Sequence, residues 1–155
     1  MKRAGFTLVE IMIVVGVIAL LAALAIPNLM RSRLNANEAV AQGTLKTVSS
    51  ACENFRAAQT PPTYPANLAA LVNATPSYIP DAIDTATTGA PKNGYNITYT
   101  LISTQRYVCC ATPAQVNVTG IRTFAINESG MLRATNNNGA VVTTAVAYEA
   151  MTVMQ

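Results

Sequence analysis

Between Ile11 and Met30 the chain carries twenty consecutive residues without a charge. A helix over that stretch rises 1.5 Å per residue and is about 30 Å long, the thickness of a bilayer's hydrocarbon core. Such a segment can cross a membrane. Lys2 and Arg3 stand just before it, so the tendency of cations to stay inside puts the N-terminus in the cytoplasm and everything after Met30 on the far side. Two plainer readings fit the hydropathy alone. One is a secretory signal peptide cut near Ala23-Leu24-Ala25, and the other is an uncleaved anchor that displays a soluble domain.

Composition excludes several function classes. A chain of 155 residues holds one domain of ordinary size and an appendage. Of ten basic residues Lys2 and Arg3 supply two, and the remaining eight nearly balance seven acidic ones, so nothing indicates nucleic acid. Histidine is absent, which removes the commonest general base and metal ligand together. The chain shows no phosphate-binding glycine loop and no nucleophile-base pair. It reads as a protein that is not an enzyme and carries no cofactor.

Glu10 is the feature that neither plain reading explains. A carboxylate at the edge of an apolar helix is costly, and acidic residues in such places have partners. The run Gly5-Phe6-Thr7-Leu8-Val9-Glu10 followed by the apolar helix resembles the processing and assembly motif of type IV prepilins and type II secretion pseudopilins. The resemblance implies that a prepilin peptidase cuts between Gly5 and Phe6 and methylates the new N-terminus at Phe6. It implies a leader over residues 1–5 and a membrane or filament-core segment over 6–30. The Phe6 amine of one subunit and the Glu10 carboxylate of its neighbour would then neutralise each other, and a pair formed only in one stagger sets register. Pro27 removes a backbone hydrogen bond inside the helix, and Gly16 weakens the same segment. Both mark an expected helix break, and the pilins this chain resembles carry a proline at the place of Pro27.

Beyond Arg31, the residues Leu34, Ala41, Leu45, Val48, Cys52 and Phe55 recur at helical spacing, which predicts an amphipathic half-helix over 31–59 with one buried stripe. The whole helix would run from Phe6 to Gln59 and stop at Thr60-Pro61-Pro62. From Pro61 to Pro91 the Pro, Thr, Ala and Asn content predicts surface loop with a short helix at Ala66 to Val72. Strand patterns follow at Tyr95 to Ile102, Arg106 to Thr112, Ile121 to Asn127 and Met131 to Thr135, with a hairpin at Glu128-Ser129-Gly130. The run from Gly120 to Arg133 is also similar to the closing hairpin of many short pilin-like proteins. The expected fold class is α+β, with the long N-terminal helix packed on a four-stranded antiparallel sheet in a head over 60–155, the ladle of the resembling family. Ala140 to Ala147 is a possible edge strand.

Other candidate sites are weak. Asn96, Asn117 and Asn127 head Asn-x-Ser/Thr tripeptides that arise by chance. Asp81 and Asp84 flank a loop but cannot fill a calcium shell, and three cysteines without histidine cannot close a zinc site. An exported location does permit a disulfide. Cys109 and Cys110 are adjacent and point to opposite faces of a strand, so one of them can meet Cys52 on the helix stripe. Tyr107 and Ala111 share the face of Cys109, which favours Cys52 with Cys109.

The expected function is a structural subunit of a type IV pilus-like filament. Its expected partners are identical or related subunits, the prepilin peptidase, an inner-membrane assembly platform, and membrane lipid before assembly. The expected location is the bacterial inner membrane, then a filament that is extracellular or spans the periplasm. The alternatives are a type II secretion pseudopilin or a signal-anchored binding domain. The chain has no tryptophan and so lacks the Asp-Pro-Trp-Gly type calcium loop of the major pseudopilins it resembles.

Overall fold

In a computed structural model of the chain, residues 6–80, 83 and 91–154 are described. Helix α1 spans Leu8–Ala58, α2 spans Ala69–Val72 and α3 spans Ala145–Glu149. The strands are β1 (Tyr95–Ser103), β2 (Arg106–Pro113), β3 (Thr123–Asn127), β4 (Leu132–Thr135) and β5 (Thr152–Val153). They form one antiparallel sheet in the order β1-β2-β3-β4-β5. The chain divides between Arg33 and Leu34 into two units, and α1 contributes to both.

In the first unit every described residue is exposed except Ala22, which is half-buried. This part of α1 belongs to the one helix among the described residues that is long and apolar enough to cross a membrane. The second unit has a core built as the stripe predicts. Ala41, Leu45, Val48 and Cys52 of α1 pack with Tyr95, Ile97, Tyr107, Cys109, Ala111, Phe124 and Ile126 of the sheet. Glu38, Thr44, Ser49 and Ala51 are buried beside them. Alternate residues on β2 turn the other way. Val108 and Cys110 join Ala125, Val142, Tyr148 and Met151 in a second cluster on the opposite face.

Four differences from the sequence expectations have physical causes. The sheet has five strands rather than four, because the C-terminal segment folds back over the second face and pairs Thr152 with Ala134 and Val153 with Arg133. Ala140 to Ala147 is therefore not an edge strand; Thr144 caps α3 by accepting from the Ala147 N–H at 3.2 Å. The segment after Pro61 is not merely surface, since Tyr64, Leu68, Leu71 and Ile79 enter the core. Finally β3 begins at Thr123 rather than Ile121, because the Ile121 and Arg122 N–H groups donate to Glu38 Oε1, each at 3.1 Å. The hairpin turn matches its glycine: Gly130 has φ +71°, a conformation that strains other residues.

Candidate processing and assembly site

Gly5, like Lys2, Arg3 and the rest of the expected 1–5 leader, lies outside the described residues. Phe6 precedes α1 and is 84% exposed. Thr7 then starts the helix. Its N–H and its hydroxyl both donate to Glu10 Oε2 at 2.8 Å, and the Glu10 N–H donates back to Thr7 Oγ1 at 3.3 Å. This reciprocal arrangement is a capping box, which satisfies N–H groups that a helix start leaves unpaired. Its signature, Thr7-x-x-Glu10, stands in the sequence, yet the expectation centred on Glu10 alone and missed Thr7.

The box fixes where the carboxylate sits. Glu10 is held against the first turn, close in sequence to the Phe6 amine that a cut after Gly5 would create. Its Oε1 accepts no hydrogen bond among the described residues, so one oxygen caps the helix while the other is available to a cation.

The apolar surface continues along the helix. Leu8, Val9, Ile11, Met12, Ile13, Val14, Val15, Val17 and Ile18 are each more than half exposed, and a subunit alone in water would hold a patch of this length at high cost. Pro27 and Gly16 lie within α1, which runs through both without interruption; the expected break is absent from this structure. A proline inside a helix removes one hydrogen bond without ending the ladder on either side. Asn28 adds a bond of its own here, donating from Nδ2 to the Leu24 carbonyl at 3.3 Å. A Cβ added at Gly16 meets nothing within 4 Å, so packing within the subunit does not require glycine there.

The cysteines are all free and buried. Cys52 and Cys109 share the core beneath the sheet, while Cys110 faces the second cluster, where its sulfur accepts from the Val142 N–H at 3.4 Å. Burial pushes the Cys52 thiol up to about 12, with the Glu53 carboxylate adding to the shift. Burial raises Cys110 to about 11 and moves Cys109 well above the ordinary thiol range. Thiolate is the reactive form, so none of the three is poised for chemistry in the folded chain.

One ion pair was not anticipated. Glu38, only 5% exposed, accepts from Arg122 Nη2 at 2.7 Å and Arg122 Nε at 2.9 Å besides the two backbone N–H groups. Asn37 Nδ2 donates to the Thr119 carbonyl at 2.9 Å beside it. Together they tie the connection between β2 and β3 to α1. Asp81 and Asp84 lie outside the described residues, and no group of three potential metal ligands occurs among those described. Asn96 lies in β1 and Asn117 in a turn with φ 64°. Asn127 is occupied by its own turn, accepting from Ser129 N–H and hydroxyl.

Comparison with known proteins bears on the same N-terminal residues. The family described as the prokaryotic N-terminal methylation motif matches residues 1–26. The chain is 41% identical over 54 residues to the type IV major pilin protein PilA of Myxococcus xanthus, covering 35% of this chain and 24% of that protein. It is 38% identical over 55 residues to the type II secretion system core protein G of Pseudomonas aeruginosa, covering 36% and 39%. It therefore spans less than two-fifths of either relative's length. No solved structure matches it significantly. The third relative is matched more widely: the type IV wide pilus major component PilA4 of Thermus thermophilus is 34% identical over 91 residues, 59% of this chain and 68% of that protein. With a methylation motif at its start, a long helix on an antiparallel sheet, and this extended match, the chain belongs to the type IV pilin and type II secretion pseudopilin family.

Proposed function

We propose that this chain is a structural, non-enzymatic subunit of a type IV pilus-like filament. It enters the inner membrane as a precursor, is cut between Gly5 and Phe6, is methylated at Phe6, and polymerises with copies of itself or related subunits on a membrane platform. The observation that carries this reading is the bare apolar surface of α1 ahead of Arg31, which begins at a capped carboxylate. Lipid covers that surface before assembly. Neighbouring helices cover it afterwards, and the Phe6 amine of one subunit meets the Glu10 carboxylate of the next. Pro27 and Gly16 lower the cost of local opening when helices repack in the filament. Shearing filaments from cells and identifying their major subunit tests the reading: the processed chain is expected there, and its retention in the membrane as an uncut anchor would contradict it.

A second reading is a pseudopilin, which the 38% identity to a type II secretion core protein favours. The lack of tryptophan weighs against the major pseudopilin class. Loss of protein export on deletion, with no surface filament in the parent strain, would establish the pseudopilin instead.

A further inference from the structure

We propose that Arg31 and Arg33 form a collar for the phosphate groups of anionic phospholipid at the exported end of the apolar span, and that this collar sets how deeply the inserted helix sits. The inference rests on the membrane-inserted state in the reading above. Each acidic side chain described in the second unit has a cation within that unit. Glu38 pairs with Arg122 at 2.7 Å, Glu53 with Arg56 at 3.6 Å, and Glu128 and Glu149 with Arg106 at 3.0 and 3.8 Å. Glu10 is held by Thr7. Arg31 and Arg33 are exposed; like Lys46, Lys92 and Arg133 of the second unit they make no ion pair among the described residues, and among these unpaired cations they are the two that adjoin the apolar run.

Their position selects the partner. The uncharged run ends at Met30, so Arg31 stands about 30 Å along the helix from Ile11, where headgroups replace hydrocarbon. Two residues apart on a helix means about 200° of rotation. The two guanidinium groups therefore reach out on opposite sides of α1. One neighbouring carboxylate cannot serve both, whereas a headgroup layer surrounds the helix and offers phosphate on every side. A guanidinium fork matches phosphate oxygens in two parallel bonds, and the long side chain lets the charge adjust its depth. Processing sharpens the effect. A cut after Gly5 removes Lys2 and Arg3, leaving Arg31 and Arg33, both at the exported end, as the side-chain cations that adjoin the span.

The chain has no tryptophan, so Leu29→Trp places a single tryptophan, excited apart from the tyrosines, beside the collar. The full mature chain carrying it is reconstituted in mixed vesicles of phosphatidylcholine and phosphatidylglycerol, with bromine on the acyl chains of one lipid or the other. Quenching then reports which lipid lies next to the helix. An anionic surface attracts a nearby cation by roughly 1 kcal/mol, so brominated phosphatidylglycerol is expected to show about a fivefold relative affinity there. The preference should vanish in R31Q/R33Q, weaken without vanishing in R31K/R33K, which keeps the charge and loses the fork, and fall with added salt. Equal quenching by both lipids, or a preference unchanged in R31Q/R33Q, would overturn the collar. Loss of filament yield in R31Q/R33Q without any lipid preference would overturn it in favour of a neighbouring subunit's carboxylates. Absence of quenching by either lipid would mean that the helix does not insert, and would overturn the membrane reading along with it.

Discussion

The two units of this chain solve opposite problems. In the second, several buried polar groups pair across the unit: Tyr107 donates to Ser49 at 3.1 Å, Tyr95 donates to the Arg122 carbonyl at 2.9 Å, and Glu38 gathers four donors. In the first, the apolar side chains from Leu8 to Met30 other than half-buried Ala22 are exposed among the described residues. Residues that are satisfied internally can be explained by the fold. Residues that are not must be explained by what the chain meets.

If that contrast holds, mutations in the two units should fail in different ways. The largest effect is expected at Glu10. Glu10→Ala should leave membrane insertion intact, because it removes a charge from the end of an apolar helix, while filament yield in sheared fractions falls sharply as the Phe6 amine loses its partner. Normal yield would show that Glu10 has no assembly role. In the head the order reverses. Glu38→Ala leaves Arg122 and two backbone N–H groups without their acceptor, and should cost about 3 kcal/mol of stability, a discount for the partly exposed Arg122 included. Denaturant unfolding of the full chain in detergent checks this, and an unchanged midpoint would remove the tie between α1 and the β2–β3 connection from the account.

Alkaline pH should destabilise the head. Burial holds Cys52 at about 12 and Cys110 at about 11, against an ordinary thiol value of 9.0. Below pH 9 both folded and unfolded chains keep these protons, so the stabilisation is fully present. As pH rises above 9 the unfolded chain releases protons first, and stability falls by up to about 1.4 kcal/mol per pH unit for each thiol until its folded value is reached. Melting followed from pH 7 to 11 should show this decline, and a flat profile would mean that the thiols are not buried. The same packing predicts chemistry under oxidising refolding. Cys52 should link to Cys109 and not to Cys110, stabilising the head by about 2–4 kcal/mol, and a Cys52–Cys110 peptide in non-reducing mapping would reverse the facing of β2.

The smallest effect is expected at Thr7. Thr7→Val removes the cap from α1, so amides in the first turn should exchange about fivefold faster, and Thr7→Ser should restore protection. Equal exchange in all three would mean that the capping box does not hold in membrane.

How much of this could be read beforehand depended on whether the cause was local. The apolar run, Glu10 and the stripe from Ala41 to Cys52 are periodic or uncharged segments that declare themselves, and four strands fell within two residues of their expected ends. Thr7 was legible through its spacing to Glu10 and was overlooked. Glu38 was not legible, because its partner lies 84 residues away and neither residue stands out in its own neighbourhood. Strand β5 has two residues, too few for any alternation, and exists only because the tail docks on β4. The second core is half visible: Tyr107-Val108-Cys109-Cys110-Ala111 is apolar without alternation, a mark of burial on both faces, and what covers the second face, Val142, Tyr148 and Met151, comes from the C-terminal tail.

The central claim is that the N-terminal unit is made by processing for contacts outside the subunit. Intact mass and N-terminal sequencing of the exported protein test it most directly. The account predicts a chain that begins at N-methyl-Phe6, whereas a chain that begins at Met1, or after Ala25, would contradict it.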